Sequence, residues 1–269
     1  MRRSLVDRYR ESHGSGKLIW DELQSFGNLV EKTPDWEEAY GVALETMKRA
    51  RVNVERIIQF LREQGYLFGY RPTPYGEGDP PWVPPAPDVT DQLQHFARLV
   101  GPLPVSLRAW WEVVGYVSLQ GTFERDTDEY DGLPLTDPLM IRSLSSVLRQ
   151  LSGAQPLGGL VEDGIAEDGR PQYLFDIAPD LYFKAKASGG LPYAVRLPDS
   201  KADVRVMNVC ILLPAPPNSQ HSCHGTALDE LFVEYLRRSF RWAGFPAMAF
   251  WRSPEVERLA PLFEQMIPI

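Results

Sequence analysis

His221-Ser-Cys223-His224 is the one short stretch of this chain where side chains able to attack or to ligate stand together. Imidazole and thiolate are zinc ligands, and a thiol beside an imidazole can become a nucleophile, so a hydrolase centred on Cys223 and His224, or on zinc, is one expectation. The surroundings weigh against it. Adjacent Cys223 and His224 need a special turn to converge on one ion, and no HExxH or CxxC accompanies them. The stretch also comes after PAPPNSQ, which has the composition of a solvent loop. His13 and His95 stand isolated in the sequence and receive no role.

Other chemistry is fainter still. Glu162-Asp163 and Glu167-Asp168 lie among glycines and polar residues, whereas a general acid needs a carboxylate in an apolar cleft. Asp126-Thr-Asp128-Glu129-Tyr-Asp131-Gly132 matches a calcium loop only in part, because the closing Glu is missing from its place. Ser188-Gly189-Gly190 could let backbone amides approach a phosphate, but Pro192 comes next and no helix does, which suits a turn between strands. No GxGxxG, GxxxxGK[ST] or GxSxG occurs. The expectation is a chain that is not an enzyme and needs no cofactor and no metal.

The elements that would position these residues are legible from periodicity. Thr33-Pro34 opens a helix whose apolar residues Trp36, Tyr40, Ala43, Met47, Ala50, Val54, Ile57 and Leu61 repeat at steps of four and three, with Thr33 as cap, Pro34 in the first turn, Gly65 as stop and Asn53 as the place for a kink. Ile19, Leu23, Phe26 and Val30 continue the step upstream, so residues 18–64 form a helical hairpin that packs within the chain or pairs with a second copy as a homodimer. Residues 72–87, PTPYGEGDPPWVPPAP, hold seven prolines and are expected to carry neither helix nor strand; this linker has Trp82 free to dock on the domain that it leads into.

Beyond it, Asp88 or Thr90 caps a helix ending at Gly101, and Pro104 starts another whose Leu107, Trp110, Trp111 and Val114 share a face up to Gly115. The period then drops to two, with Val117, Leu119 and Phe123 alternating against Ser118, Gln120 and Thr122. Pro138–Ile141 is a short strand and Leu144, Val147, Leu148 and Leu151 a helix face. Gly169 marks a hairpin returning through Gln172–Ile177, and further strands are expected at 193–197 and 203–207. Thr226 with Asp229 three residues on is expected to cap a final helix carrying Phe232, Tyr235, Leu236 and Phe240. Strands in the middle and helices at the flanks give an α+β fold: a mainly antiparallel sheet covered by helices, with an N-terminal helical hairpin at 1–70, the linker at 71–87 and an α+β domain at 88–269.

Charge and composition bound the function. The 269 residues are 43 % hydrophobic and 24 % charged, the balance of a folded chain. No stretch has the length and apolarity of a membrane span, and Cys210 and Cys223 are too few for a disulfide framework, so a cytoplasmic protein is expected. The net charge of −8 is concentrated: residues 124–180 hold 4 basic against 12 acidic side chains, and the remaining segments cancel. Such an excess argues against nucleic acid as a ligand, which needs a Lys/Arg footprint, and suits either a basic protein partner or solvated acidic loops that serve only solubility.

Leu103-Pro104-Val-Ser-Leu107-Arg-Ala-Trp110-Trp111-Glu-Val-Val-Gly115, with Asp137-Pro-Leu139 and Phe232-Val-Glu-Tyr-Leu236, resembles the SUKH superfamily, which takes in a fungal cell-wall-synthesis regulator and many bacterial immunity proteins. The likeness spans residues 90–245. It departs at the helix exit, where Val114-Gly115-Tyr116 stands in place of the frequent Asn-Gly-Gly. The resemblance implies a non-catalytic protein-binding module, used in bacteria for toxin neutralisation and often against nucleases. The expected contact surface is Asp126, Asp128, Glu129, Asp131, Glu162 and Asp163 together with Trp111, set at the edge of a groove while Trp110 is buried.

Overall fold

The structure is a computed structural model that describes residues 3–12, 16–69, 80–123, 137–151, 161–165, 169, 171–178, 193–212, 225–249 and 254–269. The chain opens with helices α1 (Leu5–Glu11), α2 (Lys17–Gln24) and α3 (Pro34–Glu63), then short strands β1 (Leu67–Phe68) and β2 (Trp82–Val83). Helices α4 (Val89–Val100) and α5 (Val105–Val113) lead into β3 (Tyr116–Ser118), β4 (Gly121–Thr122), β5 (Met140–Ile141) and α6 (Leu144–Leu151). Strands β6 (Val161–Ile165), β7 (Pro171–Ala178), β8 (Tyr193–Leu197), β9 (Arg205–Leu212) and β10 (Gly225–Leu231) precede α7 (Phe232–Arg241), a 3-10 turn at Pro246–Ala249 and α8 (Pro254–Phe263). The five strands from β6 to β10 form an antiparallel meander in sequence order, β2-β3-β5 form a second sheet, and β1 pairs with β4. This is the expected α+β class, with antiparallel pairing throughout. No helix among the described residues is long and apolar enough to cross a membrane.

Local signals account for α3. The Thr33 hydroxyl accepts the Trp36 amide, Pro34 occupies the first turn, and Gly65 takes a left-handed φ of 79° just past the end. The helix runs uninterrupted through Asn53, whose side chain is engaged elsewhere. Its stripe from Ala39 to Leu61 packs within the chain, chiefly on α5, and one core runs from Leu5 through both sides of the proline-rich stretch to Ile269.

Several expectations are corrected. The upstream helix stops at Gln24: Gly27 turns left-handed, the Leu29 amide is drawn to the Ser200 carbonyl at 2.7 Å, and Val30 is 67 % exposed, so the stripe through residue 30 is not one helical face. The proline-rich stretch does contain strand. Trp82 and Val83 keep their amides, pair with Val117 and Tyr116, and the Trp82 indole donates to the Val114 carbonyl at 2.7 Å. Ser118 and Gln120, polar members of the alternation, are buried along with Val117 and Leu119.

Thr226 stands within a strand and not at a helix start. Residues 225–231 pair with β9 from Gly225 opposite Leu212 to Leu231 opposite Arg205, the helix begins only at Phe232, and it is not the final one, since α8 of equal length follows. The cap of α7 comes from a distant residue, Asp203, whose Oδ2 accepts the Val233 amide at 3.0 Å.

Candidate docking cleft and buried acidic junction

Trp110 and Trp111 sit back to back in α5. The Trp110 indole donates to the Gly115 carbonyl at 2.8 Å and meets Phe232 edge-on at 5.8 Å. The Trp111 indole donates to the Arg142 carbonyl at 3.0 Å and meets Phe96 edge-on at 5.6 Å. Adjacent helical side chains diverge by about 100°, but α5 is covered on both sides, so Trp111 is 1 % exposed. The expectation of an exposed indole at a groove edge is therefore corrected. Trp111 is a second internal brace.

Trp111 nevertheless lines the floor of a cleft of about 490 Å³, together with Gly115 and Tyr116. Pro84, Pro85, Ala86 and Pro87 make one wall, and Ser143, Leu144, Ser145 and Ser146 the other. Gln92 and Arg149 complete the rim, Arg149 being the one ionisable side chain among the described lining residues apart from the Tyr116 phenol. Gly115 allows the two walls to close on the floor: at φ 89° it lies so near β2 that a Cβ would stand 2.5 Å from the Val83 carbonyl oxygen. Ser143 caps α6 by accepting the Ser146 amide at 3.2 Å. Proline rings, an indole and hydroxyls suit the docking of an apolar side chain with hydrogen bonds around it. Behind the cleft, burial lowers the pKa of Arg142 and raises that of Asp176, each partly offset by the other's charge.

On the other side, Asp203 is 2 % exposed and lies under a polar cleft of about 730 Å³. Its Oδ1 accepts the Val204 amide at 3.0 Å, its Oδ2 the Val233 amide, and the Ser106 hydroxyl stands beside it. Burial pushes this carboxyl up to about 7, against the opposing pull of Ser106, the two amides and Arg237. A third buried polar group joins Asp137, at φ 55°, to the Tyr193 hydroxyl, which donates to it at 2.8 Å, with Arg238 paired to Glu230 at 2.9 Å nearby.

Of the expected contact residues, Glu162 and Asp163 fall in β6, the first strand of the meander and one edge of its sheet, with Glu162 opposite Tyr173 and Asp163 at a bulge. Asp126, Asp128, Glu129 and Asp131 lie outside the described residues, as do His221, Cys223, His224 and Ser188–Gly190. Among the described residues no group of three or more His, Cys, Asp or Glu could hold a metal ion. The alternation of 203–207 leaves Asp203 on the same side as Arg205, but the carboxylate lies just ahead of β9 and turns inward while Arg205 stays exposed. No local signal announces this, because its partners are 30 residues ahead and nearly a hundred behind. Compared with models of protein families, with curated proteins and with solved structures, the chain gives no match.

Proposed function

We propose that this chain is a protein-binding module of SUKH-like type that captures a protein partner, with a basic toxin domain as the favoured class, and that works by docking rather than catalysis. One observation carries the reading. The stretch 124–180, which holds the whole negative excess, also supplies Ser143–Arg149, one wall of the cleft floored by Trp111. A stretch that is rich in carboxylates in the sequence and also supplies a wall of an apolar cleft suits a basic partner that charge steers and a buried side chain anchors. The acidic residues in question are Asp126, Asp128, Glu129, Asp131, Glu162 and Asp163.

The test has two stages. Full-length protein and a variant with Asp126, Asp128, Glu129 and Asp131 changed to Lys are used as baits, a protein held by the first and lost by the second is identified, and that protein is purified and titrated at low and high salt. The expected result is at least about tenfold weaker binding for the variant, with the wild-type affinity falling as salt rises. Equal affinity of bait and variant for the purified partner rejects the acidic surface.

A further inference from the structure

The hairpin of β8 and β9 gathers positive charge at one end of the meander. Val195 stands opposite Val206, and the register carried one residue further sets Arg196 opposite Arg205. Residues directly opposite on antiparallel strands share a face, and with Val195, Leu197 and Val206 buried, both arginines lie on the exposed one. Lys201, in the connection between the two strands, is exposed and lines the same polar cleft of about 730 Å³. Like charges set opposite one another destabilise a sheet. Lys201 and Arg205 enter no ion pair among the described residues.

The connection that carries Lys201 is held in shape from several sides. The Asp199 amide donates to the Pro102 carbonyl at 3.1 Å and the Leu29 amide to the Ser200 carbonyl at 2.7 Å, while the Ser106 and Phe232 amides donate to the Ala202 and Val204 carbonyls at 3.1 and 2.8 Å. Three carboxylates also line the cleft, and two of them are turned onto backbone: Asp199 accepts the Lys201 amide at 2.9 Å, and Asp203 accepts the Val204 and Val233 amides. The third, Asp229, is exposed at the bulge of β10. Side-chain amides come from Gln24 of α2, Asn28 after it and Gln172 of β7. Gln24 Nε2 is shut off from solvent and has no acceptor among the described residues. A buried donor so placed calls for an oxygen.

We infer that this cleft is a binding site for a small sugar phosphate, with the phosphate between Arg205, Arg196 and Lys201 and the hydroxyls toward Asp229 and the three side-chain amides. Guanidinium groups hold phosphate oxygens through charge-assisted, bidentate bonds, and an ammonium adds a point charge. Carboxylate and amide side chains supply the acceptors and donors that sugar hydroxyls pair with. The cleft has the size of a small-molecule site and far exceeds a phosphate ion alone. An anion set between the two opposed guanidinium groups also removes their repulsion, so the ligand stabilises the β8–β9 pair that binds it.

The full chain is titrated with ribose 5-phosphate, glucose 6-phosphate, inorganic phosphate and ribose at matched ionic strength, followed by calorimetry and by the NMR signals of the Lys201 and Arg205 amides. At least one sugar phosphate is expected to bind saturably and to shift both amides, inorganic phosphate to bind more weakly at the same place, and ribose not to bind at millimolar concentration. Arg205→Gln combined with Lys201→Gln, both at exposed positions, should weaken the sugar phosphate at least about tenfold. Asp229→Ala removes a hydroxyl acceptor and a charge unfavourable to any anion, so it should lower the preference for the sugar phosphate over inorganic phosphate several-fold. Unchanged affinity in the Arg205 and Lys201 double variant, or no saturable shift with either sugar phosphate, overturns the site. Inorganic phosphate binding as tightly as both esters overturns the assignment of the ligand class.

Discussion

Two adjacent indoles can both be internal only if the helix carrying them is roofed on two sides, and α5 is: Phe232 closes over Trp110 while Phe96 and Phe175 close over Trp111. Each indole N–H has found a carbonyl, so neither buried donor is left unsatisfied. Truncating either ring to Phe removes a hydrogen bond and leaves a small void. Trp110→Phe and Trp111→Phe should each therefore cost about 1–3 kcal/mol in urea unfolding. Neither substitution should reduce the fraction of tryptophan emission open to acrylamide, because the accessible signal comes from partly covered residues such as Trp36 and Trp82. A fall in the quenchable fraction on losing Trp111 would put that ring at the surface.

At the scale of elements, the passage from α5 to β3 is fixed by Gly115. Its φ of 89° excludes most side chains, and the nearest atoms to a would-be Cβ are the Val83 carbonyl oxygen, the Pro85 nitrogen and the Pro84 carbonyl carbon, all backbone that cannot swing aside. Gly27 also has a left-handed φ, 67°, but nothing lies within 4 Å of its Cβ position. The pair separates conformational strain from collision. Gly27→Ala should cost about 1 kcal/mol, and Gly115→Ala roughly 3 kcal/mol or more, with loosening of β2 seen as faster exchange of the Val83 amide.

The glycine stop was legible in the sequence, as was α3, because cap, proline, stripe and terminator all lie within one helix length. Strand β10 was not. Thr226 and Asp229 imitate a capping box, and only the ladder offered by β9, closed through a long intervening stretch, turns that segment into strand. The cap that replaces it, Asp203, reaches α7 through space rather than through sequence. The cleft was half legible. Its indole stands out in the sequence, but its proline wall has the composition of a linker, and the closeness of α6 to that wall is tertiary.

Across the whole molecule, the first and last parts of the chain are joined by a side chain that imitates a strand. Asn53, fully buried in the middle of α3, donates through Nδ2 to the Ile267 carbonyl and accepts the Ile267 amide on Oδ1, both at 2.8 Å. Arg49 adds a bond to the Pro268 carbonyl at 3.2 Å, Arg56 one to the Gln265 carbonyl, and Arg237 of α7 one to the Ile269 carbonyl at 2.6 Å, while the Ile269 side chain enters the core. Arg49 and Arg56 lie at the surface or its edge and can exchange their bonds for water; Asn53 cannot. Asn53→Ala should therefore cost about 2–4 kcal/mol, since two backbone groups of Ile267 lose their partners in a place poor in water. Arg49→Ala should cost less than about 1 kcal/mol. Ile267 amide exchange distinguishes a released segment from a uniformly weakened fold. Acceleration at Ile267 well beyond that of the α5 amides shows that Asn53 holds segment 265–269 in place. Parallel acceleration of both would mean that the segment and the core give way together, so that Asn53 supports the whole core and not that one strap.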